Sequence, residues 1–324
     1  MLEFNKDSLK IDAAAVTEEL CQTVLKQIRG TMKKGGAVIG ISGGIDSSVC
    51  AALCARALGP KRVLGIMMPE HESAGESRDL AEKLAAQFGF EAIVDEISGG
   101  LEGMGCYRRR NEAIKRVFPE FDEKKDKCKI VIPQNILEKE TFNFFNLTIE
   151  DKSGREKSKR MPPDVYLQVV ASSNLKQRLR MTTLYYYAEK KNWAVVGTGN
   201  KDEHMQGFFV KYGDGGADLK PIAHLFKTQV YQVAEELGVP EEIIKRTPTT
   251  DTYSAEVTQE EFFYGLDFYR MDMLWYAMEN DIPPEKAAKV IGITAEQARR
   301  GYDNIARKIK ATEYLRMPPL DIKD

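Results

Sequence analysis

The segment Ala37-Val38-Ile39-Gly40-Ile41-Ser42-Gly43-Gly44-Ile45-Asp46-Ser47-Ser48 opens on five small or apolar residues, largely β-branched, the pattern of a strand buried on both faces. Two glycines then let the backbone turn tightly and let a ligand approach closely. An Ala-, Leu- and Cys-rich helical pattern follows over 45–58. Strand, glycine turn and helix N-terminus in that order make a phosphate cradle, because first-turn N–H groups lack intrahelical acceptors and the helix dipole adds positive potential. Ser42, Ser47 and Ser48 add hydroxyls. The loop has no lysine and so is not the G-x-x-x-x-G-K-[ST] loop of common nucleotide triphosphatases, and G-x-G-x-x-G is absent too. Asp46 would repel phosphate unless a cation intervenes, and carboxylate plus phosphate oxygens suit Mg²⁺. The plain alternative is an ordinary strand–helix turn, but Ser-Gly-Gly-x-Asp-Ser directly after an apolar strand is far sharper than that requires.

Outward from this segment the pattern alternates. On the N-terminal side, Leu9, Val16, Leu20, Val24 and Ile28 recur at helical intervals within 8–34, and Gly35-Gly36 ends that region. On the C-terminal side come a strand over 62–68, a helix over 76–88 and a strand over 91–97. After residue 170 the spacing predicts a helix over 174–192, a strand and loop over 193–199, and a helix over 227–237 closed by Gly238 and Pro240. Residues 258–312 read mostly helical. Strand–helix alternation of this kind implies βαβ units and a mainly parallel sheet covered on both faces.

The stretch 104–168 breaks the alternation and reads as an insertion within one 1–324 unit. It holds the basic run Arg108-Arg109-Arg110, a charge run over 122–127, strand-like pieces at 129–132 and 142–149, and a turn at Lys152-Ser153-Gly154. A solvated charged face is the leading reading for it, with a substrate lid or a subunit contact as the others. Asn146-Leu147-Thr148 matches a glycosylation acceptor, which is chance in a chain read as having no secretory signal.

Composition narrows the class. The 324 residues are 43% hydrophobic and 30% charged, near globular averages, with 47 basic and 49 acidic residues. No global basic field argues for nucleic acid, and no apolar run approaches the roughly 18 residues of a membrane span. A cytoplasmic protein is expected. Five cysteines without a C-x-x-C pair read as small buried residues in a reducing compartment. Three scattered histidines form no metal-ligand spacing.

The loop resembles the signature of the N-type ATP pyrophosphatases, which cleave ATP between the α and β phosphates and adenylate a substrate. The second half sharpens the likeness: Asn174-Leu175-Lys176-Gln177-Arg178-Leu179-Arg180-Met181, Val196-Gly197-Thr198-Gly199-Asn200-Lys201-Asp202-Glu203, the 207–218 segment from Gly207-Phe208-Phe209 to Asp218, Leu225-Phe226-Lys227-Thr228, and Pro248-Thr249-Thr250-Asp251. This ordered set is similar to the ammonia-dependent NAD synthetases, well over 37–98 and 170–275 and hardly at all over the insertion. The resemblance implies a doubly wound, mainly parallel α/β fold of the adenine nucleotide alpha hydrolase kind, with helices on both faces, an inserted excursion and a helical C-terminal part. It implies that Gly40, Ile41, Ser42, Gly43, Gly44, Ile45, Asp46 and Ser47 hold the ATP phosphates, with Thr198, Lys227 and Thr249 as further ATP contacts. Asp46 and Glu203 would bind Mg²⁺, and Asp46 and Lys227 would carry the catalysis. Arg178, Lys211 and Asp218 would contact deamido-NAD.

The chemistry so implied is amide formation: AMP is placed on the nicotinate carboxylate of deamido-NAD, and ammonia then displaces it. Positioning and charge stabilisation suffice, and no covalent nucleophile is needed. The length leaves no room for an added glutaminase domain, so free ammonia, or a separate glutaminase subunit, is the expected donor. A homodimer is implied by the family. One departure is plain: where the family ends in a His-Lys-Arg run, this chain has Tyr314-Leu315-Arg316. The rival readings are another ATP pyrophosphatase that adenylates RNA, docked through Arg108–Arg110, and a non-catalytic nucleotide sensor.

Overall fold

A computed structural model describes residues 3–73, 75–131, 137, 145–250, 253–255 and 257–322. In chain order the elements are α1 (Ala13–Leu25), β1 (Ala37–Gly40), α2 (Ile45–Leu58), β2 (Val63–Met67), α3 (Gly75–Phe88), β3 (Glu91–Val94), α4 (Ser98–Gly103), α5 (Cys106–Lys115), β4 (Lys127–Val131), β5 (Asn146–Glu150), β6 (Glu156–Arg160), α6 (Pro163–Lys191), β7 (Ala194–Val196), α7 (Lys201–Gln206), α8 (Lys227–Leu237), α9 (Glu241–Lys245), α10 (Phe268–Glu279), α11 (Pro284–Ile291), α12 (Ala295–Ala311) and α13 (Glu313–Arg316).

The central sheet is parallel in the order β3-β2-β1-β7. Its strands are short and apolar, and their alternate residues serve two cores. Ala37, Ile39, Val63, Met67, Ala194 and Val196 pack with α1, α2, α3 and α8. Val38, Leu64, Ile66 and Val195 pack on the other face with Ala188 and Leu184 of α6. The expected doubly wound α/β arrangement is therefore present, with helices on both faces. All five cysteines are buried and unpaired.

Two differences from the sequence reading lie around the insertion. The helix expected from residue 174 begins eleven residues earlier, at Pro163. A proline in the first turn starts it, and its buried face runs Val165, Val169, Ser172, Ser173 and Lys176. The second difference is a strand the sequence did not announce. β4, β5 and β6 form an antiparallel sheet, joined at one corner by Asp151, which accepts from Ser153 N at 2.8 Å, and by Gly154 at φ 76°. β6 is Glu-Lys-Ser-Lys-Arg with every residue exposed, so it carries no apolar alternation to read. Lysines on an exposed edge strand discourage pairing with another chain. Cys128, Ile130, Leu147 and Ile149 pack this sheet onto Ile114, Phe118, Val165 and Val169. Of the two expected strands, Ile132 and residues 142–144 lie outside the described residues. Charges here are largely paired, as in Lys129–Glu156 at 2.8 Å and Lys157–Glu120 at 2.9 Å.

The C-terminal helices gather around the fully buried Trp275. Lys308 of α12 is buried among them, donating to Phe263 O at 2.8 Å and lying 4.7 Å from the Phe263 ring centroid. Burial pushes its pKa down to about 7.

Two outcomes follow from this packing. A Cβ at Gly36 would lie 2.3 Å from Arg62 O and 2.8 Å from the Trp193 indole, so Gly36→Ala should lower stability by about 1–3 kcal/mol in urea unfolding. Lys308 keeps its proton to higher pH when unfolded, so its burial penalises folding at pH 7 and is relieved as pH rises. Wild type should therefore gain about 2 kcal/mol relative to Lys308→Met between roughly pH 7 and pH 9, read from denaturation at each pH.

Candidate active site

The loop from β1 to α2 lies at the C-terminal edge of the sheet, where parallel sheets bind ligands. Gly43 has φ 71°, and a Cβ there would sit 2.5 Å from Ser77 O, so glycine is required on both counts. The serines brace the loop from inside. Ser42 N donates to Ser47 Oγ and Gly44 N to Ser42 Oγ, each at 3.3 Å. The hydroxyls of Ser47 and Ser48 donate to Gly44 O at 3.0 and 2.8 Å. These hydroxyls, read from sequence as ligand donors, bond within the loop and shape it, while the first-turn N–H groups of α2 lack the acceptors that a preceding helical turn would supply.

Across the cleft, β7 ends beside β1, which brings Asn200, Glu203 and Lys227 to Asp46. Asn200 caps α7 in a reciprocal pair with Glu203: Glu203 N donates to Asn200 Oδ1 at 3.0 Å, and Asn200 N to Glu203 Oε2 at 3.2 Å. The same Asn200 donates from Nδ2 to Asp46 Oδ1 at 3.1 Å. Lys227, fully buried as the first residue of α8, forms an ion pair with Asp46 Oδ2. Burial works against the Lys227 ammonium, but Asp46 and Glu203 outweigh it and hold its pKa above the ordinary value. Glu203 is pushed up to about 8, by burial first and then by the negative charge of Asp46.

The N-terminus of α8 is gripped from below. Lys227 N donates to Asp202 Oδ2 at 2.8 Å, and Thr228 donates to Asp272 Oδ2 from N at 2.9 Å and from Oγ1 at 2.7 Å. Burial, and then Asp272, push the Asp202 carboxyl well above the usual range. Asp202 thus supports the start of α8.

The cleft has a volume of about 470 Å³ and is lined by Gly40–Ser42, Gly44–Ser47, Thr198, Glu203, Lys227 and Thr249 among others. Sequence reasoning missed Arg246 and Gln259, which line it too. Arg246 Nη2 donates to Ser77 Oγ at 3.0 Å, and Gln259 Nε2 donates to Glu203 Oε1 at 3.3 Å. Arg246 stands just before the quoted Pro248-Thr249-Thr250, and that proximity was its one signal. Asp251 lies outside the described residues.

Arg178, Lys211 and Asp218 do not line the cleft. Arg178 Nε donates to Lys211 O at 3.4 Å, and Lys211 Nζ donates to Tyr314 O and Met317 O at 3.0 and 3.1 Å. Asp218 accepts from Val195 N at 2.8 Å and from the Tyr185 hydroxyl at 3.1 Å. Arg316 caps two helices, donating to Met205 O at 2.6 Å and Ile309 O at 2.8 Å. Of the basic run, Arg110 is buried and bidentate on Glu72, so the run does not act as three free cations.

A family model described as NAD synthase matches residues 16–115 and 117–319. The chain belongs to the NAD synthase family. It is accordingly an enzyme, a ligase that forms carbon–nitrogen bonds. The chain is similar to the NH(3)-dependent NAD(+) synthetase of Mesorhizobium japonicum, 47% identical over 312 residues that cover 96% of this chain and 97% of that one. It is 33% identical to the protein of the same description from Thermotoga maritima, covering 79% of this chain and 86% of the relative. Among solved structures, the NH3-dependent NAD synthetase from Campylobacter jejuni aligns with a TM-score of 0.62 at 23% identity, covering 96% and 99% of the two chains. The NMN synthetase from Francisella tularensis aligns at 0.60 and 21%, covering 96% and 99%. At those identities the structural likeness establishes the fold.

Asn200 joins the cap of α7 to Asp46, so Asn200→Ala should cost about 1–2 kcal/mol in urea denaturation. Asn200→Asp should keep the cap, but it sets a second carboxylate against Asp46.

Proposed function

We propose that this protein is an ammonia-dependent NAD synthetase, using Mg-ATP to adenylate the nicotinate carboxylate of deamido-NAD and then ammonia to amidate it. The observation that carries the reading is the convergence of Asp46, Asn200, Glu203 and Lys227 on one phosphate-shaped loop in a member of this family. A carboxylate resists ammonia because oxide is a poor leaving group. In the first step a carboxylate oxygen bonds to the α phosphorus and the bond to the pyrophosphate oxygen breaks. In the second, ammonia bonds to the carbonyl carbon, AMP leaves with that oxygen, and a proton is released. Negative charge grows on phosphate oxygens in both steps. The N–H groups of the loop and the Lys227 ammonium are fixed where that charge develops.

Asp46 and Glu203 fit a Mg²⁺ ion. Burial, and then the negative charge of Asp46, raise the Glu203 pKa, and a cation between the two carboxylates would relieve both penalties. Among the described residues no three acidic, His or Cys side chains form a metal cage, and Mg²⁺ bound by one or two carboxylates plus substrate phosphates needs none. When bound, the ion would neutralise phosphate charge. Thr198, Thr249 and Arg246 add contacts to the nucleotide.

Arg178, Lys211 and Asp218 lie outside the cleft, and the reading places the dinucleotide's distal half there, completed by a second copy of the chain. The whole chain is read as one catalytic unit with 104–168 as its excursion, working in the cytoplasm. Ammonia as donor is supported by relatives so described over nearly their full lengths. Among the described residues no helix is long and apolar enough to cross a membrane.

The test mixes purified protein with Mg-ATP, deamido-NAD and ammonium and follows AMP, pyrophosphate and NAD together. All three should form in equal amounts. Asp46→Asn and Lys227→Met should each reduce the rate by about 10²–10³-fold while still folding. AMP and pyrophosphate without NAD would keep the ATP chemistry and reject this substrate. ATP binding with no product would favour the sensor.

A further inference from the structure

The excursion's first helix, α5, reaches back to the nucleotide wall of the cleft through a buried charge network. The loop after β2, Pro69–Ser73, lines that wall with Pro69 and Ser73. Ser77, in the first turn of α3, sets its carbonyl against Gly43 of the β1–α2 loop. The loop's apex, Glu70-His71-Glu72, has no apolar side chain to anchor it. Each of the three side chains is held by a helix from elsewhere. Glu70 accepts from the Tyr107 hydroxyl of α5 at 2.7 Å and from Lys176 Nζ of α6 at 2.8 Å. Glu72 accepts both prongs of the Arg110 guanidinium at 2.6 and 2.7 Å, and Lys176 Nζ at 2.6 Å. His71 Nε2 pairs with Glu102 of α4 at 2.8 Å.

Lys176 and Glu70 are essentially inaccessible, at 1% and 0% side-chain exposure, and Arg110 is at 3%. Two cations and two carboxylates balance in charge, and the bidentate fork fixes geometry as well as energy. A buried network of this kind is a poor source of stability, since well-packed apolar residues of equal volume commonly do as well. What it does supply is one position for the loop. We propose that Tyr107 and Arg110 of the excursion are positioning residues for the nucleotide, setting the Pro69–Ser73 wall through Glu70 and Glu72. The excursion thereby serves the ATP half of the reaction. This rests on the reading that the cleft binds ATP.

Two variants test it. Tyr107→Phe removes one hydrogen bond and keeps the ring. Arg110→Met with Glu72→Met removes one charge of each sign and leaves Lys176 with Glu70. Binding of Mg²⁺ with α,β-methylene-ATP is measured by calorimetry, beside thermal midpoints and steady-state kinetics of the full chain. The double variant should bind the analogue about tenfold more weakly or worse, with Tyr107→Phe shifted in the same direction by less. KM for ATP should rise while kcat and KM for ammonium stay within about twofold and the thermal midpoint holds. A merely structural role would move the midpoint or kcat and leave the split absent. Folded variants that bind the analogue as wild type does, or that lose kcat with KM for ATP unchanged, would overturn the proposal. A folded wild type that fails to bind the analogue would overturn the ATP reading itself and the inference with it.

Discussion

Lys227 is a buried ammonium at the start of a helix, the end where the backbone dipole disfavours a cation. It can stand there because Asp46 and Glu203 face it. Asp46 in turn belongs to the first turn of α2 and also accepts from Asn200, the cap of α7. Three helix N-termini therefore converge on one carboxylate, and that carboxylate is what makes their convergence electrostatically tolerable. The strand order β2-β1-β7 follows the same demand, because only adjacent β1 and β7 bring the two loops within reach.

Support for that arrangement comes from beneath. Asp202 and Asp272 occupy the first N–H groups of α8, and Trp275 and Phe226 pack around its start. The C-terminal helices thus act on the cleft without lining most of it. Arg316 works likewise, tying α7 to the end of α12, and Gly207 lies so close to Thr312 that a Cβ would fall 2.3 Å from it. Beside this arginine, the backbone carbonyls of Tyr314 and Met317 hold Lys211.

The fold was legible wherever apolar period and glycine turn coincided. α2 and α8 begin and end where the sequence placed them, because Gly44 and Gly59 flank one and Phe226 and Gly238 the other. The turn from β1 into α2 was legible for the same reason, since its backbone geometry is local. Four features were not. β6 has no buried side and therefore no pattern. The true start of α6 at Pro163 was obscured by the charged residues before it. Arg246 and Gln259 act through distant partners, Ser77 and Glu203, which no spacing rule connects. The network of Glu70, Glu72, Tyr107, Arg110 and Lys176 joins residues up to 106 apart, and its arginine looked like one more surface charge.

α6 runs for 29 residues, a rod of about 44 Å. Its first half is glued into the antiparallel excursion through Val165 and Val169, and its second half into the parallel sheet through Leu184 and Ala188. A rigid rod cannot surrender one end without tilting the other. The two sheets are thereby joined in a single cooperative unfolding unit, and amides of β4 and β5 should exchange with solvent in the same opening event as those of β1, not in an earlier, local one.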